Sequence, residues 1–499
     1  MAIPDYFARN AVAIAQALSG LDDQRLTAML GEVRVGITFG KDAESKEGCA
    51  LTDLLVRLIA RLYPTLIFRA DSENGIVDRS RELARRINPN VELSGDPTVE
   101  VVVGSTALPP WSAQRIFAGS NGWIAAISTS APQPCADTNI PFGSGVAACL
   151  AAANLFRYVF LPEPRLDANA TFDVLNSTNE EHRSAIAFPP LSTDLVLAGC
   201  GAIGNAAAWA LARTPVKGTL TIVDHQTIDL GNIQRYVLAE RADEGSSKPL
   251  VASRYFTNSL RAIPNESDFA TFLEITNHRI ERLLLALDSA RDRRAGQASL
   301  PKWVANAWTQ PGDLGVSTHD FLNGACVCCL YLPEHAVMNE DATIAEAFGV
   351  PERIMQIRLL LHRNDSAPRD LLEAISTAQD IPLERLLPFE GHSLRDLYVD
   401  GFCGGAALPL SRMGTPRTEV HVPLAHQSAL AGILLAAAAV RHELGIGNGS
   451  QVTQLDVLKP LPSVPSHPVA KDPRGICICQ DSDYRDVYTR KFAGPLLGT

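Results

Sequence analysis

The stretch DLVLAGCGAIGNAAAWALAR, residues 194–213, combines an apolar strand, a glycine turn and an Ala-rich helix in immediate succession. Gly199, Gly201 and Gly204 form a GxGxxG pattern that follows the strand and opens the helix. Glycines in this setting allow a tight turn and a close backbone approach, and the N–H groups of the helix then point towards a phosphate. The stretch therefore predicts an α/β domain with a nucleotide site at the end of its first strand.

The polar residues that follow the turn favour ATP over a dinucleotide. Asp224 ends the next strand, TLTIVD, where a carboxylate accepts hydrogen bonds from ribose hydroxyls. Asn232 and Arg235 in DLGNIQRY and Lys248 in GSSKP come next, and a hydride-transfer site has no need of cations so close to the phosphates. A site that releases pyrophosphate does need them, because negative charge develops there in the transition state. Asp288 ends LLLALD at the carboxyl edge of the sheet and is a candidate Mg²⁺ ligand.

Together these segments resemble the superfamily of ubiquitin-activating enzymes, ThiF, MoeB and HesA. The matching pieces are GCGAIG, IVDHQ, GNIQRY, SSKP and ALDSARDRR. The resemblance implies ATP-dependent adenylation of the C-terminal glycine of a ubiquitin-like protein. It also implies that Asp224 holds the ribose, that Arg235 and Lys248 hold the phosphates, and that Asp288 holds the metal. Arg235 and Asp288 are expected to act in catalysis as well as in binding, and Asn232 to complete the nucleotide site.

Three residues depart from the family pattern. Gln226 stands where a second acid is usual, Tyr236 where Gln is frequent, and Ser289 where Asn is frequent. We expect these departures to alter substrate detail more than nucleotide binding.

Two cysteine pairs predict a structural metal site. Cys326 and Cys329 have CxxC spacing in GACVCCLYLP and resemble the first half of the family's zinc site, and Cys477 and Cys479 in GICICQD would complete four thiolates. The second pair is CxC rather than the usual CxxC, and Cys328 is a possible substitute ligand. The competing interpretation is a set of buried apolar cysteines, which are common.

Cys403, in FCGGAALPL, is a candidate acyl acceptor. In activating enzymes of the ubiquitin kind, the cysteine that takes over the adenylated glycine comes from this part of the chain. A thiolate attacks an acyl-adenylate readily because AMP is a good leaving group. The alternative is a structural cysteine in a glycine turn.

The rest of the chain predicts two related α/β domains with an insertion. Residues 1–165 alternate strand-like and helix-like segments but have no glycine fingerprint after VRVGITF, which suggests an inactive Rossmann-like adenylation-type domain. Residues 166–192 are interpreted as a linker, and residues 193–334 as the nucleotide-binding part of the active domain. Residues 335–400 are rich in charged residues and helix formers, which indicates a helical insertion, and residues 401–499 complete the active domain with a crossover loop and the second cysteine pair.

Composition limits the possible partners and location. The chain has 499 residues and a formal charge of −11, which does not suit a nucleic-acid binder. The longest apolar run, residues 429–440, is shorter than the ~20 residues of a membrane span, and the first residues do not read as a secretion signal. We therefore expect a cytoplasmic protein without nucleic-acid or membrane partners.

These observations predict an activating enzyme that adenylates a ubiquitin-like modifier with ATP and Mg²⁺, carries structural Zn²⁺, and transfers the acyl group to Cys403. A conjugating-enzyme partner is expected, together with a monomer that forms an internal pseudo-dimer, and a role in antiphage defence is a possibility by analogy. The rival enzyme is an adenylyltransferase for a sulfur-carrier protein, which would not need Cys403. A nucleotide-binding regulator without catalysis is the alternative from a different class.

Overall fold

The computed structural model describes residues 11, 13–14, 23–72, 75–178, 191–257, 260–310, 312–332, 340–363, 365–403, 424–447, 449–461 and 466–493. Contacts divide the chain into two compact units. One unit comprises Met1–Pro4, Met29–Leu332 and Ala425–Thr499, and the other comprises Asp5–Ala28 and Pro333–Leu424. The first unit holds two α/β halves, called here the first half (residues 29–178) and the second half (residues 191–332 and 425–493). The second unit contains the helical insertion.

The first half is built on a sheet whose central strands are fully buried. Parallel strands covered on both faces need near-continuous apolar runs, and VGITF and VEVVV meet this need. A helix, α1 (Asp23–Glu32), precedes the sheet in the chain. The described elements that follow are β1 (Val35–Phe39), α2 (Lys46–Ile59), β2 (Leu66–Ala70), α3 (Ile76–Ile87), β3 (Val99–Val103), β4 (Arg115–Asn121), β5 (Ile124–Ser128), α4 (Phe142–Phe160) and β6 (Asn169–Asp173).

The second half contains the strand, turn and helix predicted from the glycine pattern. Its described elements are β7 (Ser192–Ala198), α5 (Ala202–Leu211), β8 (Lys217–Val223), α6 (Lys248–Ser253), β9 (Leu260–Asn265), α7 (Phe269–Ile275), β10 (Arg282–Leu285), α8 (Ala290–Ala298), β11 (Trp303–Gln310), β12 (Asp313–His319) and α9 (Val327–Leu330). After the insertion come α15 (Ala425–Glu443), β13 (Gln451–Leu455), β14 (Ser466–Pro468) and α16 (Ser482–Phe492).

The two sheets share one strand order. The first is β2-β1-β3-β4-β5-β6, and the second is β14-β13-β12-β11-β10-β7-β8-β9. In each sheet a parallel core is followed by antiparallel strands, two in the first sheet and three in the second. The strands β2, β1, β3, β4, β5 and β6 correspond to β8, β7, β10, β11, β12 and β13 in order and direction. Within the described residues, β9 and β14 have no counterpart in the first sheet. The prediction of two Rossmann-like α/β domains is confirmed.

Corresponding long helices connect the last two of these strands in each half. Helix α4 joins β5 to β6, α15 lies between β12 and β13, and each is 19 residues long. The two helices pack on each other, and α15 also packs on α5 so closely that a Cβ added at Gly432 would lie 2.2 Å from the carbonyl oxygen of Ile203. Their Ala-rich composition follows from this close packing. Helix α4 is long and apolar enough to span a membrane by composition, but it is a buried core helix.

The helical insertion has its own apolar core. Its described helices are α10 (Glu340–Ala347), α11 (Ile354–Arg363), α12 (Arg369–Gln379), α13 (Leu383–Leu386) and α14 (Leu394–Asp396), followed by a π-helical turn at Leu397–Cys403. Phe348 at the end of α10 and Ile375 in α12 are fully buried in this core, as is Leu397 in the turn. The prediction of a helical insertion is therefore confirmed.

The structure differs from the sequence prediction in two boundaries. The stretch 166–192 was predicted as a linker, but Asn169–Asp173 forms β6 and pairs antiparallel with β5. The insertion unit is Pro333–Leu424 together with Asp5–Ala28, rather than residues 335–400 alone. Short amphipathic or polar strands such as β6, NATFD, lack the apolar run on which the sequence prediction relied.

Candidate nucleotide site

The glycine turn connects β7 to α5 by close backbone packing. Gly199 has φ +91°, a conformation that side chains disfavour, and a Cβ at this position would lie 2.7 Å from the carbonyl oxygen of Ala286. A Cβ at Gly204 would lie 2.0 Å from the carbonyl oxygen of Gly199. Gly201 precedes the helix and faces more open space, since a Cβ there would meet only the Tyr236 hydroxyl, at 3.7 Å. The N-terminus of α5 is therefore left open to a ligand, as a phosphate site requires.

Asp224 lies directly beside this turn. Its Oδ2 accepts a hydrogen bond from the backbone N–H of Cys200 at 2.7 Å, and its Oδ1 accepts one from the N–H of Gln226 at 2.9 Å. The carboxylate is half-buried at the end of β8. The Asp224 carboxylate thus connects the C-terminal ends of β7 and β8, at the edge of the parallel sheet where ligands bind.

Lys248 is a buried cation of the same cluster, 4% exposed. Its Nζ donates to Oε1 of Gln226 at 2.5 Å and lies 5.3 Å from the ring centroid of Tyr236. Burial opposes the charged form, but Tyr236 and the carboxylate of Asp224 outweigh it and raise the pKa of Lys248 above its usual value. The ammonium therefore stays charged at neutral pH, although no carboxylate of the described residues is bound directly to it.

Gln226 and Tyr236 are site residues whose roles the sequence did not reveal. They occupy two of the three positions that depart from the family pattern, and both now contact the Lys248 side chain. The departure itself was the signal that could have singled them out.

Asn232 ends a 3₁₀ turn, Leu230–Asn232, and Arg235 lies on the irregular segment that follows it. Asn232 Oδ1 accepts from the backbone N–H of Asp229 at 3.2 Å, so its side chain shapes the segment. The guanidinium of Arg235 is half-exposed and lies 5.7 Å from the ring centroid of Tyr236. Its Nη1 makes a long hydrogen bond to Oε1 of Gln234, at 3.3 Å. Among the described residues, most of its hydrogen-bonding capacity is therefore available to a ligand.

Asp288 is exposed on the loop between β10 and α8. Among the described residues its carboxylate has no hydrogen-bond or ion-pair partner. The loop itself is firmly held, because buried Arg293 donates to the carbonyl oxygen of Leu287 and, at 2.6 Å, to Oδ1 of Asn306. Ala286 on this loop packs against Gly199, which brings the loop to the glycine turn.

The structure therefore brings most of the predicted set together by direct contacts. The glycine turn, Asp224 and Lys248 form one cluster, Arg235 joins it through Tyr236, and Asp288 joins it through the Ala286 loop. Cys200 lies inside the cluster, but burial raises the pKa of its thiol well above the usual value, which argues against a nucleophilic role.

The four predicted cysteines meet in one cluster. The Sγ atoms of Cys326, Cys329, Cys477 and Cys479 all lie within 4.8 Å of one another, with Cys326 3.4 Å from Cys477 and Cys329 3.6 Å from Cys479. Hydrogen bonds with Cys326 and Cys477 lower the pKa of Cys329 below its usual value. Four close, largely buried thiols fit a tetrahedral Zn²⁺ site, whose ligands must be thiolates.

Neighbouring Cys328 is not part of the thiol cluster. Its Sγ instead lies 3.8 Å from the carbonyl oxygen of Arg294. The predicted acyl acceptor cannot be placed in the same way. The backbone of Cys403 ends the π-helical turn, and its side chain lies outside the described residues.

The matching edge of the first half is filled by its own carboxylates. Asp42 accepts from the backbone N–H of Ser105 at 2.6 Å and from that of Cys135 at 2.7 Å. Glu47, 1% exposed, accepts from the Ser120 hydroxyl at 2.6 Å and from the N–H of Gly122 at 2.9 Å. The backbone donors that a phosphate could use here are therefore taken by side chains.

Two family models match the chain, one in each half. Prokaryotic E2 family C matches residues 38–161, and ThiF family matches residues 191–284. The second match contains the glycine turn, Asp224, Arg235 and Lys248. The first gives a different description from the adenylation-type domain expected for residues 1–165, which stays a prediction.

Relatives and solved structures extend this result. The chain is 39% identical over 511 residues to the uncharacterized protein y4jF of Sinorhizobium fredii (strain NBRC 101917 / NGR234), over 99% of this chain and 98% of y4jF. It is 12% identical to E. coli MccB, solved with AMPCPP and SeMet MccA, over 56% of this chain and 65% of that one, with a TM-score of 0.34. The microcin C7 biosynthetic enzyme MccB, in complex with N-formylated MccA, gives 14% identity over 58% and 67%, with a TM-score of 0.34.

The relationship to y4jF is the decisive one, since it runs along almost the whole of both chains. The resemblance to the ThiF superfamily expected from the glycine turn and the residues after it is confirmed by the family match. This protein belongs to the same family as y4jF, and its second half is a ThiF-family domain.

Proposed function

We propose that this protein uses ATP to adenylate the C-terminal carboxylate of a ubiquitin-like protein and then transfers the acyl group to Cys403 as a thioester. The observation that carries the proposal is the buried, charged Lys248 in contact with Gln226 and Tyr236 beside an open glycine turn. Lys248 and Arg235 supply the positive charge that a triphosphate needs and a hydride-transfer site does not.

The first step joins the carboxylate to the α-phosphate. A carboxylate oxygen attacks the α-phosphorus, the bond from that phosphorus to the bridging oxygen breaks, and pyrophosphate leaves. The N–H groups at the start of α5 and the two cations receive the negative charge that develops, and Asp224 orients the ribose. Mg²⁺, held by Asp288, would neutralise phosphate charge. Lys248 is fixed before ATP arrives, so little reorganisation is needed at the moment of reaction.

The second step makes the thioester. The Cys403 thiolate attacks the acyl carbon, the bond from that carbon to the phosphate oxygen breaks, and AMP leaves, while the thiol proton passes to solvent. The resulting thioester keeps the carboxyl activated for a conjugating-enzyme partner. The match of residues 38–161 to prokaryotic E2 family C supports a role in conjugation. We place the reaction in the cytoplasm, with antiphage defence as its possible context.

The two remaining parts serve structure. Zn²⁺ bound by the cysteine cluster ties the end of the second half to α9 and its neighbours. The first half is an adenylation-type copy without a nucleotide of its own, supported by its shared strand order and its carboxylate-filled edge. One chain thus contains the pairing that a dimer of two copies would otherwise provide.

ATP–pyrophosphate exchange with purified ubiquitin-like proteins tests the first step. We expect exchange that depends on one such protein and falls about 100-fold or more in Lys248→Met. ATP binding without exchange for every candidate modifier would contradict adenylation and favour a regulator.

A thioester assay tests the second step. We expect a modifier adduct that is lost on reduction and is absent from Cys403→Ala, with exchange retained. Cys49→Ala is the matched control, since Cys49 is a half-buried thiol in α2 of the first half. Exchange without any adduct would instead favour a sulfur-carrier adenylyltransferase, and an adduct that persists in Cys403→Ala would move the acceptor to another residue.

A further inference from the structure

The segment Ile233–Ala239 carries part of the nucleotide site but no regular secondary structure. It begins just after Asn232 and includes Arg235 and Tyr236. All its residues except Arg235 are buried. A buried segment without a helix or sheet ladder must find other donors for its backbone carbonyls, because an unpaired buried carbonyl is costly.

Those donors come largely from the first half. Arg61, fully buried just after α2, donates from Nη1 to the carbonyl oxygen of Ile233 at 2.7 Å. From Nη2 it donates to Val237 at 3.1 Å and to Ala239 at 2.7 Å. Arg57, one turn earlier, donates from Nη1 to Val237 at 3.0 Å. Two arginines of one half thus hold three carbonyls of the other.

The second half contributes contacts of its own, because the backbone N–H groups of Arg235 and Tyr236 donate to the carbonyl oxygen of Asn232 at 3.0 and 3.1 Å. The hydroxyl of Tyr255 donates to the carbonyl oxygen of Leu238 at 2.8 Å, and the N–H of Leu238 donates to Oδ1 of Asn205 at 2.6 Å. The carbonyls on either side of Arg235 and Tyr236, at Ile233 and Val237, are the ones held from the first half. The position of these two side chains therefore depends on α2 and its C-terminal end as well as on Asn232.

The surroundings of Arg57 and Arg61 keep both guanidinium groups positively charged. Burial disfavours a charged Arg57, but the carboxylate of Asp53, 3.0 Å away, outweighs it and raises the pKa of the guanidinium. The guanidinium of Arg61 contacts carbonyl oxygens, whose dipoles stabilise a positive charge. A planar guanidinium can reach separate carbonyls from two nitrogens, whereas a lysine ammonium acts as a single point charge.

We propose that Arg61 and Arg57 are positioning residues for the nucleotide site, supplied by the half that has no nucleotide of its own. They act through the backbone of Ile233–Ala239 on Arg235 and Tyr236, and through Tyr236 on Lys248. This inference rests on the proposed ATP-dependent function. It assigns the first half a direct effect on ATP affinity in addition to its contribution to stability.

A third buried arginine provides a matched control. Arg157 in α4, 1% exposed, also crosses from the first half to backbone carbonyls of the second, at Val457 and Lys459. Those carbonyls follow β13, at the antiparallel side of the sheet. Arg157→Lys therefore disturbs the same kind of contact between the halves without touching the Ile233–Ala239 segment.

Calorimetric titration of the full chain with a non-hydrolysable ATP analogue and Mg²⁺ tests the inference. We expect Arg61→Lys to raise the Kd about tenfold or more, Arg57→Lys to raise it less, and Arg157→Lys to leave it within about twofold of the wild type. Thermal unfolding of all three variants, measured alongside, separates this effect from general destabilisation. In exchange assays, Arg61→Lys should raise the KM for ATP more than it lowers kcat.

Equal changes in Kd for Arg61→Lys and Arg157→Lys, or no change in either, would overturn the inference while leaving the proposed function intact. A wild-type chain that does not bind the analogue would instead contradict the proposed function itself. If Arg61→Lys does not fold, the Kd values of Arg57→Lys and Arg157→Lys provide the same comparison. A lysine at position 57 can keep the ion pair with Asp53, so Arg57→Lys is expected to fold.

Discussion

The two α/β halves have the same strand order but differ at the edge where their parallel strands end. After β7 the chain makes a short glycine turn with an open helix N-terminus. After β1 it makes a longer loop, Gly40–Ser45, in which Asp42 takes two backbone N–H groups. If the proposed nucleotide site is correct, the fold supplies its location, whereas the loop after the first strand decides whether a phosphate can enter.

A pair of equivalent aspartates makes the same point. Asp71 follows β2 as Asp224 follows β8, and the strand registers, Phe39 with Ala70 and Ala198 with Val223, place them at the same level. Asp224 accepts from the glycine turn, whereas Asp71 accepts from the Thr106 hydroxyl at 2.5 Å, on the loop after β3. In the first half, hydrogen bonds of carboxylates to hydroxyls and backbone N–H groups occupy this edge of the sheet.

The largest effect is expected from the glycine turn. A Cβ at Gly204 lies 2.0 Å from a backbone oxygen, so Gly204→Ala must displace the turn and should weaken ATP-analogue binding more than about 100-fold, with a loss of stability of about 3 kcal/mol. Gly201→Ala, whose Cβ has room, is the matched control and should keep the wild-type unfolding temperature. If Gly204→Ala still bound the ATP analogue with near wild-type affinity, the nucleotide site would have to lie in the first half. The comparison between the two halves would then fail.

The next effect concerns the metal, since only the second half has a cluster of four cysteines among the described residues. Cys477→Ser should remove bound zinc, measured by elemental analysis, and lower stability by several kcal/mol, because metal binding and folding are coupled. Cys328→Ser should retain zinc, because its Sγ faces the carbonyl of Arg294 instead. Loss of zinc in Cys328→Ser, with retention in Cys477→Ser, would reassign the ligands.

A smaller effect is expected at the closed edge of the first half. Glu47→Gln replaces an accepting oxygen by an NH₂ group that faces donors, which should cost about 1–3 kcal/mol in urea unfolding. ATP-analogue affinity should stay within about twofold of the wild type, since Glu47 holds Ser120 and Gly122 rather than the nucleotide cluster. A large change in affinity with unchanged stability would mean that this edge participates in nucleotide binding.

The smallest effect is a pH dependence at the contact between the halves. His426 in α15, buried beside Phe156 of α4, has its pKa lowered to about 3 by burial and by nearby Arg157. Because the folded pKa lies below the unfolded value of about 6.5, its contribution to stability is complete above that value and declines as pH falls towards 3. Between pH 7.5 and 5.5 the loss should be about 1 kcal/mol.

Urea unfolding of His426→Leu at both pH values checks this assignment. The variant should lose correspondingly less stability on acidification than the wild type. An identical pH dependence in the two proteins would mean that other groups account for the acid sensitivity.

The second half was largely predictable because its signals are local. The strand, turn and helix around Gly199 are adjacent in sequence, and the two cysteine pairs have recognisable spacings. The contact between Lys248 and Gln226 depends on how the loops after β8 fold, which the sequence does not show. Strands such as β9, LRAIPN, and β6, NATFD, have neither an apolar run nor clean alternation, so they were not predicted.

The first half was predictable in class but not in detail. Asp42 and Glu47 lie in GKDAESKEG, a stretch that is typical of an exposed loop. Only the fold shows that both carboxylates turn inward to backbone donors more than 50 residues away in the chain. For the same reason, Arg57 and Arg61 resembled the polar face of an amphipathic helix, because their partners belong to the other half.

The cysteine cluster has a topological consequence for the helical insertion. Cys326 and Cys477 are 151 residues apart, and the segment between them includes the whole of residues 333–424. A bound metal would close this segment into a loop by joining its two ends. The antiparallel pairing of β12 with β13 also joins the chain before the insertion to the chain after it. A single cut within the insertion would therefore leave the two fragments joined, and the insertion can vary in length or sequence between relatives at little cost to the domain that carries it.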